Sequence, residues 1–243
     1  MSDRPRILLV PEFTELTWAI RPQLEQWAEI GSYDPPGIGA EPRRELSSAS
    51  IVERGIEEIE RLGWDRYFLA GDFWSNAATA KIARRRPGEV LGIALGHAAL
   101  SSRHSGERPP VNPEVYSAFG QLIEQDAAAF IRHGIVQATK GAIDERLATE
   151  MLERIPPDLI KDGWHSLTRE IDYGEDLREL GVPLLLARHR DCLMSTQEGF
   201  DDAIAAFPQA RVVVTGAACS SDEAFAEAMR EFCAAVGATR TVA

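Results

Sequence analysis

Between positions 69 and 78 the chain reads Leu69-Ala-Gly-Asp-Phe-Trp-Ser-Asn-Ala-Ala78. The stretch opens as the end of an apolar run, around Tyr67-Phe-Leu-Ala70, and passes into Ala77 to Arg85, which Pro87 stops. A continuous apolar run is the pattern of a parallel strand buried on both faces. A proline-terminated run of small and charged residues is the pattern of a helix. Phe73 therefore stands in a turn from strand to helix.

The same alternation extends outward in both directions. Upstream, Ile7 to Val10 is a first strand. Thr14 is placed to cap a helix whose inward face carries Leu16, Ile20, Leu24 and Trp27. Ile30 to Tyr33 is a second strand, ended by Asp34-Pro-Pro-Gly-Ile-Gly39, and Ile51, Ile56, Ile59 and Leu62 mark a helix closed by Gly63. Downstream, Val90 to Leu95 is a fourth strand, Val182 to Ala187 a fifth and Arg211 to Thr215 a sixth. Thr196 to Phe207 is a helix. A last helix, capped by Ser221, buries Phe225, Met229, Phe232 and Val236 at helical spacing.

Residues 101–180 break the alternation. They show helical periodicity and no strand, with helices predicted near 114–139, 143–154 and 158–170. The reading is an α/β fold with a doubly wound, mainly parallel sheet of about six strands. Residues 1–100 and 181–243 form the core domain and residues 101–180 a helical cap. Ligand crevices in such sheets lie outside the carboxyl ends of the strands. An insert leaving the fourth strand covers that crevice.

Composition narrows the function classes. The 243 residues are 44% hydrophobic, enough for a full core. A net charge of −12 repels nucleic acid and anionic membranes, and no window approaches a membrane span. The run Ile7-Leu-Leu-Val10 is too short for a signal peptide, which points to the cytoplasm. Three cysteines (Cys192, Cys219 and Cys233) and five scattered histidines offer no metal-ligand spacing, so neither a metal nor a cofactor is expected. No glycine-rich phosphate loop follows the first strand, where Pro11-Glu12 stands. The expected partner is a small molecule; a homodimer through the cap is left open.

The turn at 69–78 resembles the nucleophile elbow of the α/β-hydrolases, in which G-x-S-x-G holds a serine on a strained turn above the sheet. Gly71 and Ser75 match the flanking small residues, and Phe73 takes the serine's place. Other segments carry the same resemblance. Val10-Pro-Glu-Phe13 stands where the family has a His-Gly segment and an oxyanion-hole amide, and Trp18 is similar to a tryptophan of the next helix. Asp34-Pro-Pro-Gly-Ile-Gly39 looks like a D-x-P-G-x-G turn. Gly181-Val-Pro-Leu-Leu-Leu186 resembles the strand before the triad acid, and Val214-Thr-Gly-Ala-Ala-Cys219 the loop of the triad histidine. The matches span about 220 residues in order, from a first strand that resembles the family's third.

Carried over residue by residue, the resemblance implies a degenerate triad: Phe73 for serine, Cys219 for histidine, and Asp191 or Cys192 for the acid. An ordinary serine esterase is not expected, since acyl transfer needs nucleophile, base and orienting acid together. A misaligned hydrolase would use Ser75 or Ser101. The first functional reading is a non-catalytic binder holding a small, mostly apolar molecule between core and cap, with Phe13, Trp74 and Trp18 in the pocket. The second is a lyase, isomerase or cyclase using Glu12 or His97 as acid/base, with Asp72 and Asp191 as further candidates. Each residue has a plainer reading as well: Phe73 as a pocket plug, Glu12 turned to solvent, and His97 as a polar loop residue at the crevice mouth. Tyr116, Phe119, Phe130, Trp164 and Tyr173 would pack the cap. A reducible Cys192–Cys219 disulfide is a further expectation of the resemblance, against two inert thiols.

Overall fold

The structure, a computed structural model, describes residues 4–99, 112–167 and 173–241. Six parallel strands form one sheet: β1 (Arg6–Leu9), β2 (Glu29–Ser32), β3 (Tyr67–Asp72), β4 (Val90–Gly96), β5 (Leu184–His189) and β6 (Arg211–Thr215). Their order is β2-β1-β3-β4-β5-β6. The direction of winding reverses between β1 and β3, and the carboxyl ends of those two strands flank the crevice.

Strand residues alternate between two buried layers. Leu8 and Val10 of the β1 segment pack with α2 (Ser48–Leu62) and α3 (Ser75–Arg85) on one face. Ile7 and Leu9 pack on the other with α1 (Arg21–Leu24) and with Phe225, Met229, Phe232 and Val236 of the final helix. Each such side chain contributes about 1.5–3 kcal/mol when fully buried, so one strand holds both layers in place.

The long helix expected after Thr14 is interrupted. Thr14 does cap, accepting from Leu16 N, but only a 3₁₀ turn at Glu15–Thr17 follows. Trp18 then leaves helical geometry, and its indole Nε1 donates to Val10 O at 3.1 Å. Burying that ring breaks the helix, and α1 restarts with Pro22 in its first turn. The last helix, residues 223–241, is also capped differently. The Ser221 hydroxyl donates to Ala218 O, and the Asp222 carboxylate accepts from Ala224 N at 2.8 Å.

The insert is helical as expected, with different breaks. Helix α4 (Pro113–Ala129) is kinked at Asp126, whose carboxylate accepts from Ala129 N at 2.9 Å as a new cap. A π-helical turn, Phe130–Ile135, and the short α5 (Val136–Ala138) follow. Then come α6 (Glu145–Arg154), α7 (Pro157–Leu167) and α8 (Gly174–Leu180), the last absent from the sequence reading. Helix α9 (Gln197–Ala206) and α10 (Glu223–Thr241) flank β6. Among the described residues no helix is long and apolar enough to cross a membrane.

Candidate functional site

The strand-to-helix turn after β3 is tight for a local reason. A Cβ on Gly71 would stand 2.3 Å from Thr79 Oγ1, so only glycine lets α3 approach this closely. Phe73 sits at the apex with φ of 42°, a left-handed conformation that is strained for an aromatic residue. His97, just beyond β4, has φ of 45°. These two strained residues meet edge to face, with ring centroids 6.2 Å apart.

The turn also fixes Asp72 beneath the apex. Asp72 N donates to Ser75 Oγ at 2.8 Å, and that hydroxyl donates back to Asp72 O at 3.0 Å. The Ser75 hydroxyl is therefore engaged with the backbone at the helix start. Ser101 lies outside the described residues. The Asp72 carboxylate is 3% exposed; it contacts His97 Nδ1 at 2.6 Å and accepts from Ser220 N at 3.0 Å. Gly96 makes room for this, since a Cβ there would stand 2.4 Å from Asp72 Oδ1 and 2.7 Å from Cys219 Cβ.

Glu12 turns inward. It is enclosed by protein but opens on the cavity, and the Trp74 amide just after the apex lies on its side of the site and weakly favours its charge. His97 is likewise a buried residue at the cavity floor, not a group at its mouth. The electrostatics then diverge. Burial and the Asp72 charge push the Glu12 carboxyl well above the ordinary carboxylate range. Burial opposes charge on His97 and on Asp72, but each outweighs that effect for the other. The imidazole rises well above 6.5 and the Asp72 carboxyl falls below 3.8. Cys192 is drawn down to about 6: burial resists the thiolate, but the charge on His97 and hydrogen bonds from His97 and Ser195 N favour it more strongly.

These groups face a cavity of about 400 Å³. Phe13, Phe73 and Trp74 wall its core side, and Phe119, Phe130 and Ile135 its insert side. Phe119 and Phe130 thus line the cavity as well as packing with each other at 5.4 Å. Trp164 and Tyr116 pack at 4.9 Å, as expected of insert residues. Two polar ring atoms of buried wall residues, Trp74 Nε1 and His189 Nε2, have no hydrogen-bond partner. Burial and the neighbouring His97 charge lower the pKa of His189, which keeps that ring neutral.

One sequence expectation fails here. Trp18 lies in the core layer against α10, away from the cavity. The further candidate Asp191 reaches the cavity rim, where its exposed carboxylate pairs with Lys140 Nζ at 3.3 Å. Cys192 and Cys219 are both free thiols. Cys219 is fully buried, with its sulfur 3.7 Å from Thr215 Oγ1. The sequence reading missed the pairing of Asp72 with His97. The signal was available: Asp72 pairs with Gly96 in the β3–β4 register, so the residue after β4 lands beside the carboxylate. The buried His189 carried no comparable signal.

Asp72, His97 and Cys219 offer donor atoms within 4.8 Å of one another. Tetrahedral zinc would space a nitrogen and an oxygen ligand by about 3.3 Å. The 2.6 Å Asp72–His97 contact is shorter, so these groups are committed to each other and not arranged around a cation.

No family model matches the chain. It is 26% identical over 172 residues to a pimeloyl-[acyl-carrier protein] methyl ester esterase of Sodalis glossinidius, covering 68% of this chain and 66% of that protein's length. Among solved structures it is similar to a bromoperoxidase from Bacillus anthracis, with a TM-score of 0.76 at 15% identity over 95% of this chain and 92% of that one. A thermophilic esterase from Thermogutta terrifontis follows at 0.74 and 16%, covering 97% of this chain and 91% of its own. An enol-lactonase from Burkholderia xenovorans LB400 gives 0.72 and 16%, covering 95% and 92%. At these identities the likeness is one of fold.

Proposed function

Taking the α/β-hydrolase fold as the premise, we propose that this protein binds a small, mostly apolar molecule in the cavity beneath the helical insert and acts on it by proton transfer, without a serine nucleophile. The observation that carries this reading is the buried 2.6 Å contact between Asp72 and His97 on the floor of that cavity, with the Glu12 carboxyl opening on the same space. Clusters of titratable groups with strongly displaced pKa values in a cleft are the mark of acid/base sites.

The division of labour follows from the charges. Glu12, kept protonated by burial and by Asp72, is a proton donor in an apolar setting. His97 is an imidazolium held by Asp72, a second donor whose conjugate base returns the proton. Asp72 orients the ring through Nδ1 and leaves the other ring nitrogen for chemistry. Phe73 at the apex provides no hydroxyl, and the amide of Trp74, where an oxyanion would develop, faces the Glu12 carboxyl. The degenerate triad of the sequence reading is therefore part of the proposal, with the site's chemistry moved from Phe73 to its neighbours.

The reading is tested without knowing the natural substrate. Small apolar ketones are incubated with the protein in D2O, and exchange of the hydrogens α to the carbonyl is followed by NMR. Exchange of at least one ketone is expected, falling at least tenfold in Glu12→Gln and in His97→Ala. Exchange that persists unchanged in both variants would sink the assignment. Ligand-induced shifts without exchange would leave the chain a binder, and labelling of any serine by a fluorophosphonate would restore serine chemistry.

A further inference from the structure

We propose that Cys192 is a nucleophile of this site, set with His97 and Asp72 in a Cys–His–Asp array, and that it adds reversibly to small, mostly apolar α,β-unsaturated carbonyl compounds. The inference deepens the reading above and shares its cavity. It rests on three observations. Cys192 lines the same cavity as His97, whose charge favours its thiolate, and its sulfur accepts Ser195 N–H at 3.3 Å. The His97 ring is held by Asp72 at 2.6 Å, so sulfur, imidazole and carboxylate come from the ends of β5, β4 and β3 in turn. Beside them stands His189, only 7% exposed, its ring centroid 6.3 Å from that of His97 and its Nε2 unpartnered, as though kept for a polar atom of a ligand.

The arrangement favours addition over acyl transfer. A thiolate attacking an ester builds a localised tetrahedral oxyanion that needs dedicated donors, and the Trp74 amide faces the Glu12 carboxyl. Conjugate addition spreads its charge over an enolate, expels no leaving group and needs one proton to finish. The Cys192 sulfur bonds to the β-carbon, and the C=C pair moves through the enolate toward the carbonyl oxygen. The His97 proton ends on the α-carbon. The product is a neutral thioether beside a neutral imidazole, and the reverse steps restore both charges. Rotation about the former double bond within the adduct would exchange its E and Z forms.

The titratable and charged groups around this cavity come from every surrounding element: His97 after β4, Asp72 at the end of β3, Glu12 after β1, Cys219 beyond β6, and His189, Asp191 and Lys140 at the rim. Of these, His97 is the one that favours the Cys192 thiolate, so it sets the midpoint.

The test is timed alkylation with iodoacetamide from pH 5 to 9, read at each cysteine by peptide mass spectrometry. Cys192 should react with a midpoint near 6, while the buried Cys219 and Cys233 stay unmodified. His97→Asn suits the left-handed backbone at this position. It should move the midpoint toward the ordinary thiol value of about 8.5. It should also slow alkylation at pH 6.5 about fivefold, because the more basic thiolate is scarcer but more nucleophilic. Asp72→Asn, checked for folding by circular dichroism, should shift the midpoint in the same direction. A wild-type midpoint above 8, or one that neither variant moves, overturns the array. Intact mass after exposure to 2-cyclohexen-1-one should show one adduct at Cys192, reversed on dilution; a reactive Cys192 without that adduct overturns the substrate class. Alkylation needs no pocket ligand, so it reports on the array even if α-hydrogen exchange fails, and exchange without a low-pH thiol would retain the proton-transfer reading alone.

Discussion

Glu12 and Glu58 are the same residue type in two kinds of enclosure, and they titrate in opposite directions. Glu58, on α2, accepts from Arg54 at 3.2 Å and from Arg61 at 2.5 Å. Burial raises its carboxyl, but the two guanidinium groups outweigh that and hold it below the ordinary range. Glu12 lies among Phe13, Phe73 and Trp74 with no guanidinium partner among the described residues, and burial together with Asp72 drives it upward. The Glu15 carboxylate repeats the Glu58 pattern, paired with Arg21 at 3.0 Å and with Arg154 at 3.4 Å. Where structure is the purpose, the chain supplies arginine. In the crevice it supplies aromatic rings and a second carboxylate, a combination that stores reactivity at the expense of stability.

The largest test of that contrast removes the partner of a buried cation. Asp72→Ala should destabilise the fold by about 3–5 kcal/mol at pH 5.5, where His97 would be left charged and unpaired. Urea unfolding measures it. The pair lifts His97 above its unfolded value and lowers Asp72 below its own. Its contribution is therefore complete between about pH 4 and pH 6.5. It is lost as pH rises through the raised His97 pKa, and as pH falls through the lowered Asp72 pKa. The cost of Asp72→Ala should accordingly shrink by pH 9, and an equal cost at both values would contradict the pairing.

Gly96→Ala forces a methyl group to within 2.4 Å of Asp72 Oδ1. Overpacking of this kind costs about 1–3 kcal/mol. Because the clash falls on the carboxylate, the His97 ring resonances should titrate at lower pH in this variant. A stability loss with an unmoved His97 titration would show that the clash relaxes elsewhere.

The two glutamates give a paired, smaller effect. Glu58→Gln should cost about 0.5–1 kcal/mol at pH 7 through its lost ion pairs, with the cost vanishing as pH falls through the depressed Glu58 pKa. Glu12→Gln should do the reverse. A carboxyl whose folded pKa is raised stabilises below its unfolded value, about pH 4.3, and that contribution is lost as pH rises through the folded pKa. The variant should therefore gain on wild type above that value, on the order of 1 kcal/mol. Thermal melts of both variants across pH 4–9 should diverge in opposite senses, and parallel curves would erase the distinction between the two environments.

The smallest expected effect is on serine chemistry. Phe73→Ser places a hydroxyl at the apex, but the residue that the sequence resemblance aligns with the family's histidine is Cys219, which supplies no base. Fluorophosphonate labelling of this variant should stay at background, and brisk labelling would show that His97 can serve the apex.

Much of this was legible in the residues alone. The runs at Ile7, Tyr67, Val90 and Arg211 are strands, and the stripe from Phe225 to Val236 is a buried helix face. Strand identity depends on local apolar pattern, which a single chain displays openly. The reading failed where a distant contact overrode the pattern. Trp18 broke a helix by burying its ring against Val10, and Asp126 broke another by capping its own interior. It also failed for α8, a seven-residue helix too short for its period to stand out.

The sequence by itself determined the doubly wound sheet and the aromatic residue at the apex of the Gly71–Ser75 turn, because both depend on neighbours along the chain. Only the tertiary structure decided that Asp72 grips His97, that Glu12 turns inward, and that Cys192 rather than Asp191 comes under the charge of the imidazole. Those relations join residues 25 to 95 positions apart, at the ends of strands whose register sets what lies beside what. The pKa of each group is a property of that meeting, since Coulomb interactions and desolvation follow distance in space and not distance along the chain.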